Sequence, residues 1–263
     1  MVRAAFSSSA LPGSDLKMVL ATAVSAGVRG VEWTDDGFLA PGDVAAAQEA
    51  MVATLRAGLC TVSFATQYRA CLHDRTAFAL ALATAHGLNA PTLRLWSAPR
   101  GGSPACDADA FVDEARSLGD EAGGLGVTLC FGLAADSVLD SCEAASVLLA
   151  RIDHPFVKLA WSPEPNASFD DSMEAIASVA GRIGMFVVRS GDLGDHGGKT
   201  SDRAEEWLQY LDAYDEQGDN PDMARHVVIR SIDGGNPADL ASCVSSIDGW
   251  SADLRRYHKR RVY

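Results

Sequence analysis

Four charged side chains stand at or near the ends of short apolar, β-branched runs: Glu32 in "VRGVEW", Arg94 in "TLRLW", Arg189 in "GMFVVRS" and Arg230 in "HVVIRSI". A guanidinium is always charged, and stripping its water without a partner costs several kcal/mol. Each arginine therefore needs either a carboxylate or an anionic ligand. A carboxylate acting as general base beside guanidinium groups that stabilise an oxyanion would support proton transfer on a carbonyl compound. Internal pairing with Glu32, Asp192 or Asp233 is the competing reading, and both can hold at once.

Other candidates cluster at neighbouring positions. Trp33, Trp96 and Trp161 close similar runs and could stack on sugar faces or fill the core. Gln67, Tyr68 and Arg69 lie in "SFATQYRA" (63–70), read as the loop after the third run. "GDLGDHGGKTS" (191–201) ends like a phosphate loop, but Leu193 stands where a Walker motif needs glycine. Lys199 and the Gly197–Gly198 amides remain candidate phosphate contacts, and His196 a candidate acid or base, against the plainer reading of a solvated loop. Asp35, Asp36, Asp170 and Asp171 read as loop and capping acids. His73, His86, His154 and His258 form no ligand spacing, and the six cysteines include no CxxC pair. Cys60 and Cys130 fall in strand-like runs, where buried free thiols are common. The expected compartment is the reducing cytoplasm.

The elements that must position these residues alternate along the chain. Strands are expected at about 3–7, 28–33, 59–64, 92–96, 126–131, 156–161, 184–190 and 226–232. Helices are expected at about 15–26, 43–57, 74–86, 109–122, 138–151, 170–180, 201–216 and 237–250. Units of roughly 30 residues are the size of one βα repeat, and no Pro/Ser/Gly-rich linker interrupts them. The fold class is therefore α/β, a closed (β/α)₈ TIM barrel in one domain over 1–263, with a peripheral tail at 254–263. In that architecture the working residues sit at the C-terminal ends of strands and in the loops that follow.

Composition narrows the partners. Of 263 residues 48% are hydrophobic and 22% charged, ordinary for a soluble globular chain that needs no staples. A net charge of −13 argues against general affinity for nucleic acid or anionic membrane. The first 20 residues do not read as a signal peptide, and no apolar stretch of about 18 residues could span a bilayer.

Several strand ends together resemble the xylose isomerase-like TIM barrels, the sugar phosphate isomerase/epimerase superfamily. "GVRGVEW" is similar to that family's second-strand "GxxGIEW", and "LAPGD" (39–43) follows it. "SFATQYRA" is similar to "SYxSYYRA", "LRLWSAPRGG" (93–102) to "IRVWAGxxGS", "GVTLCFGLAADSVLDS" (126–141) to "GVTLALExHxxTLTDT" and "VKLAWSP" (157–163) to "VxLxWxP". The match runs over nearly the whole chain. It implies a metal-dependent isomerase or epimerase whose divalent ion is held by Glu, Asp, His and Glu ending strands five to eight. At those positions this sequence carries Gly132, Ser162, Phe186 or Arg189, and Arg230, with Ala134 where a further His often stands. No family-type metal site, and no cofactor, is expected.

Alternation alone gives Arg230 the facing of His226 and Val228, toward either the barrel interior or the helix layer. Its alignment with a metal-ligating Glu implies the interior, at the mouth, with Arg189 and Arg94 beside it. The expected guest is then an anion such as a phosphate, carboxylate or enolate. The expected function is isomerase- or epimerase-type proton transfer on a small, carbohydrate-like carbonyl compound without the family metal. Glu32 would be the base and Arg230 with Arg189 the oxyanion stabilisers. Two alternatives stand beside it: a non-catalytic binding protein, and a metal enzyme using Glu32, Asp136, Asp192 or His196. Family members commonly self-associate, so a homo-oligomer is also implied.

Overall fold

The computed structural model describes residues 2–100, 107–164, 167–194, 201–216, 225–232 and 237–261. Eight parallel strands close into a barrel in chain order: β1 (Val2–Ser7), β2 (Gly30–Thr34), β3 (Cys60–Ala70), β4 (Thr92–Ser97), β5 (Thr128–Gly132), β6 (Val157–Trp161), β7 (Ile183–Arg189) and β8 (Arg225–Ser231). The last strand pairs with the first through Val2–Arg225 to Phe6–Ile229. Each strand is followed by a helix: α1 (Leu16–Ala26), α2 (Val44–Arg56), α3 (Arg75–Gly87), α4 (Ala108–Gly124), α5 (Cys142–Ile152), α6 (Phe169–Ser178), α7 (Ser201–Glu216) and α8 (Pro237–Arg261). This is the expected (β/α)₈ architecture. Among the described residues, no helix is long and apolar enough to cross a membrane.

Short polar caps start most of the helices. The carboxylates of Asp15, Asp43, Asp74 and Asp107 each accept the amide three residues on, the Asp15–Met18 bond measuring 2.7 Å. Such a cap is worth about 1 kcal/mol. Ser141 caps α5, which starts later than residue 138 because Val138 and Leu139 are buried in the preceding loop. Ser168 and Asp171 form a reciprocal capping box on α6, the capping role expected of Asp171. The C-terminal helix does not stop near Trp250. Leu240, Ile247 and Leu254 extend one buried stripe at seven-residue spacing, and the helix runs to Arg261.

Two apolar layers follow from strand alternation. Outward-facing residues of every strand pack under the helices in one large core. The barrel interior is a smaller cluster of Ala5, Val62, Cys130, Ala160, Met185, Val187 and Val228. Cys130 is fully buried there, whereas Cys60, at the entry of β3, is exposed rather than buried as expected. It stands at the first residue of its strand, on the face opposite the mouth.

β3 is also longer than its apolar run. After an irregularity between Ala65 and Arg69, Arg69 and Ala70 pair with Trp96 and Ser97 of β4. Gln67, Tyr68 and Arg69 therefore belong to a strand, not to a loop.

Candidate active site at the barrel mouth

Parity along each strand fixes which side chains reach the interior. Val187 lines the inner cluster, so Arg189, two residues on, points inward at the C-terminal mouth. Arg230 is the residue skipped where the pairing of β7 with β8 shifts, and it lies exposed at the rim of the mouth cavity. Arg94 pairs in register with inward-facing Cys130, and Glu32 with Ser7 of β1. Glu32, Arg94, Arg189 and Arg230 thus converge, the arrangement the sequence alone left open.

The four charges are treated differently. Glu32 is fully buried and grips Arg94 through two bonds, Nε to Oε2 at 3.0 Å and Nη2 to Oε1 at 2.8 Å. The Ser63 hydroxyl adds a third bond to Oε2 at 2.8 Å. Burial pushes the Glu32 carboxyl upward, but the Arg94 charge and the bonds from Arg94, Ser63 and Ser7 outweigh it and hold it below its ordinary value. A carboxylate so engaged is a poor proton acceptor. This geometry fits Glu32 to holding Arg94 in place better than to general-base chemistry.

Arg189 closes on Asp192 in the 3₁₀ turn just after β7, with Nη2 to Oδ1 at 2.7 Å and its own amide to Oδ2 at 2.7 Å. The Asp192 carbonyl in turn accepts from Arg203 and from the buried Trp207 indole, which pins the turn to α7. Arg189 also edges a neighbouring cavity of about 620 Å³ with Arg203 and Glu206.

Arg230 stands apart. Among the described residues no carboxylate forms an ion pair with it; Ser9 donates to its backbone carbonyl at 3.1 Å. Partial burial and the nearby charges of Arg94 and Arg189 all push its guanidinium below its ordinary value, with only weaker opposition from Asp192 and Glu32. It lines a cavity of about 170 Å³ together with Ser9, Thr34, Asp35, Gln67, Arg94 and Trp96. The Trp96 ring stacks on Arg94, whose Cζ lies 5.7 Å from the ring centroid.

Four of the expected substrate contacts lie elsewhere, three of them aromatic. Trp33 is fully buried beneath α2, its indole N–H donating to Thr54 at 3.2 Å. Trp161 packs against Phe186 and Tyr210 on the helix side and edges a separate cavity between α5 and α6. Tyr68 is buried among Phe78 and His73 and donates to Glu114 of α4 at 3.1 Å. In each case parity carries the aromatic ring outward, where the sheet–helix core claims it. Arg69 bonds the Ser97 carbonyl at 3.3 Å and does not line the mouth cavity. Lys199, Gly197, Gly198 and His196 lie outside the described residues, as does Asp233.

Asp35 was legible only as a loop acid. Its Oδ2 accepts from the Thr66 hydroxyl and the Gln67 amide, both at 2.7 Å, tying β2 to the extension of β3. Its Oδ1 is buried and has no hydrogen-bond partner among the described residues. Its position directly after a strand was the available signal, but loop acids of that kind are common.

No protein-family model matches the chain, and neither does any curated protein. Solved structures do. An L-ribulose 3-epimerase superposes with a TM-score of 0.71 at 16% identity, over 100% of this chain and 99% of that one. The fold is that of a xylose isomerase-like TIM barrel. A xylose isomerase-like TIM barrel/4-hydroxyphenylpyruvate dioxygenase fusion protein gives a TM-score of 0.71 at 15% identity over 99% of this chain, which spans 44% of its length. The IOLI protein with a binding zinc atom gives 0.68 at 13% identity, over 96% of this chain and 97% of that one.

The residues at the mouth do not fit a divalent ion held in the manner that resemblance implies. Gly132 and Ser162 supply no carboxylate, and Arg189 and Arg230 bring positive charge to the other two positions. The space is also taken: a Cβ on Gly132 would lie 2.6 Å from the Trp96 ring. Of the alternative donors, Glu32 and Asp192 are each engaged by an arginine, and His196 lies outside the described residues. Among the described residues no group of three His, Cys, Asp or Glu side chains is placed to hold an ion.

Proposed function

We propose that the barrel mouth binds a small, anionic, carbohydrate-like carbonyl compound, with Arg230 as its principal anchor. One observation carries this reading: a guanidinium at the rim of the mouth, repelled by Arg94 and Arg189, edges a cavity without a carboxylate pairing it among the described residues. An anionic ligand would supply the missing partner. The likeness to an L-ribulose 3-epimerase supports a sugar-type guest. Isomerase- or epimerase-type proton transfer would then require Glu32 to accept the proton and Arg230 to stabilise the oxyanion, with no step assigned to a metal.

The engagement of Glu32 favours a second reading, a binding protein without turnover. The two are separated by NMR in deuterated water with uronates, aldonates and ketose phosphates. Catalysis predicts exchange of the proton α to the carbonyl, abolished in Arg230→Gln. Pure binding predicts thermal stabilisation by the same compounds without exchange. Absence of both from wild-type protein would overturn the proposal.

A further inference from the structure

Charge is shared unevenly around the barrel wall. α4 carries five acids, α6 three and α7 six, whereas α1, α2 and α3 together hold only Lys17, Glu49, Arg56 and Arg75 besides His86. Exposed apolar side chains gather in that same sector. Met18 and Val24 on α1, Val44, Val52 and Leu55 on α2, and Leu80 on α3 all stand in solvent, Leu55 with 59% of its surface exposed. Among the described residues the other large exposed apolar side chains are Leu72, Leu125 and Val147. Leu80 adjoins the α2 face directly: a Cβ on Gly42, two residues before α2, would lie 2.8 Å from its Cδ2. Single exposed apolar residues are ordinary on a soluble protein, but a contiguous group of them marks an interaction surface.

The pattern along α2 indicates what covers it. Val44, Gln48, Val52 and Leu55 recur at helical spacing on the exposed side, with Glu49 and Arg56 beside them. Glu49 and Arg56 lie two turns apart, and neither forms an ion pair among the described residues. The midpoint between them falls at Val52 and Ala53. A second α2 crossing antiparallel about a two-fold axis at that midpoint brings each Glu49 to Arg56 of the partner subunit and sets Val52 against its twin. A two-fold contact demands this self-complementarity. The acidic helices elsewhere on a chain of net charge −13 would instead repel a second copy.

We infer that the outer face of α2, flanked by Val24 and Leu80, is a self-association surface on which a second copy of this chain docks through an antiparallel α2–α2 contact. α2 has 13 residues, a length of about 20 Å, and its neighbours lie about 10 Å to either side. Each copy thus offers a face of roughly 500 Å², below the roughly 800 Å² per partner of a standard interface. The dimer is therefore a reversible one in the micromolar range, dissociating on dilution.

Sedimentation equilibrium of the full chain from about 1 μM to about 500 μM tests the assignment. Wild-type protein should pass from monomer to dimer across that range. Val52→Glu sets like charges against each other at the axis and should weaken association at least about tenfold, with Leu55→Glu as a second variant and Leu125→Glu without effect. Glu49→Arg and Arg56→Glu should each weaken it, and the combined swap Glu49→Arg/Arg56→Glu should restore it. Thermal unfolding establishes that each variant is folded. A wild-type chain that stays monomeric throughout would overturn the inference and leave the face to a different partner. A dimer indifferent to both Val52→Glu and Leu55→Glu would place the contact elsewhere, and a combined swap no better than the single changes would remove the antiparallel register. Equal weakening by Leu125→Glu would show a general charge effect and overturn it as well.

Discussion

Glu32 and Arg94 show how a buried ion pair constrains what its members can do. Removing one partner strands the other charge, at a cost of about 3–5 kcal/mol. Glu32→Gln should therefore lower the urea-unfolding free energy by that order, and the double variant Glu32→Gln/Arg94→Met should recover much of it. Arg230 makes the opposite prediction. Since its neighbours repel it, Arg230→Gln should leave unfolding free energy unchanged or slightly raised, while removing anion affinity. A loss above about 2 kcal/mol, beyond the usual surface range, would mean that Arg230 has a structural partner and is not held open for a ligand.

Among the elements, β4 and β5 jointly exclude the carboxylate that the resemblance leads one to look for. Trp96 lies over Gly132, so Gly132→Ala should destabilise by about 1–3 kcal/mol through overpacking, read by thermal or urea unfolding. Gly132→Ala/Trp96→Leu should relieve it. The strand–helix alternation was readable because β-branched runs and Asp or Ser caps recur at regular spacing. The extension of β3 was not, because "ATQYRA" lacks a continuous apolar run and gains its strand character from pairing with β4. The placement of Arg94, Arg189 and Arg230 around the mouth was legible once parity was joined to the resemblance, but the break in pairing at Arg230, which leaves it exposed at the rim, was not. The outward placement of Trp33, Tyr68 and Trp161 follows from the same parity, but a strand-end position drew them toward the mouth. The role of Asp35 depends on a contact between the turn after β2 and the extension of β3, about 30 residues apart in sequence, which no local pattern records.

At the scale of the whole molecule, acid stability should report two groups, the buried Glu32 and the partly buried His226, in separate windows. Burial first, and then the Arg3 charge, depress the His226 imidazole from 6.5 to about 4. The folded state thus disfavours the charged form, so its contribution is complete above pH 6.5 and is lost as pH falls toward about 4. Glu32 is held below 4.5 in the fold, so its contribution persists above pH 4.5 and fades only as pH drops through that lower value. Melting curves from pH 7 to 4 should slope downward in wild type, and the slope should flatten in His226→Asn. An identical slope in the two proteins would remove His226 from the account. The central claim concerns the one mouth guanidinium left without a carboxylate partner among the described residues, and ¹⁵N NMR of the arginine side chains tests it most directly. During titration with an aldonate, the Nε–H signal of Arg230, assigned through Arg230→Lys, should shift and saturate. Those of Arg94 and Arg189, already bound to Glu32 and Asp192, should move far less. A titration that shifts Arg94 or Arg189 and leaves Arg230 in place would contradict it.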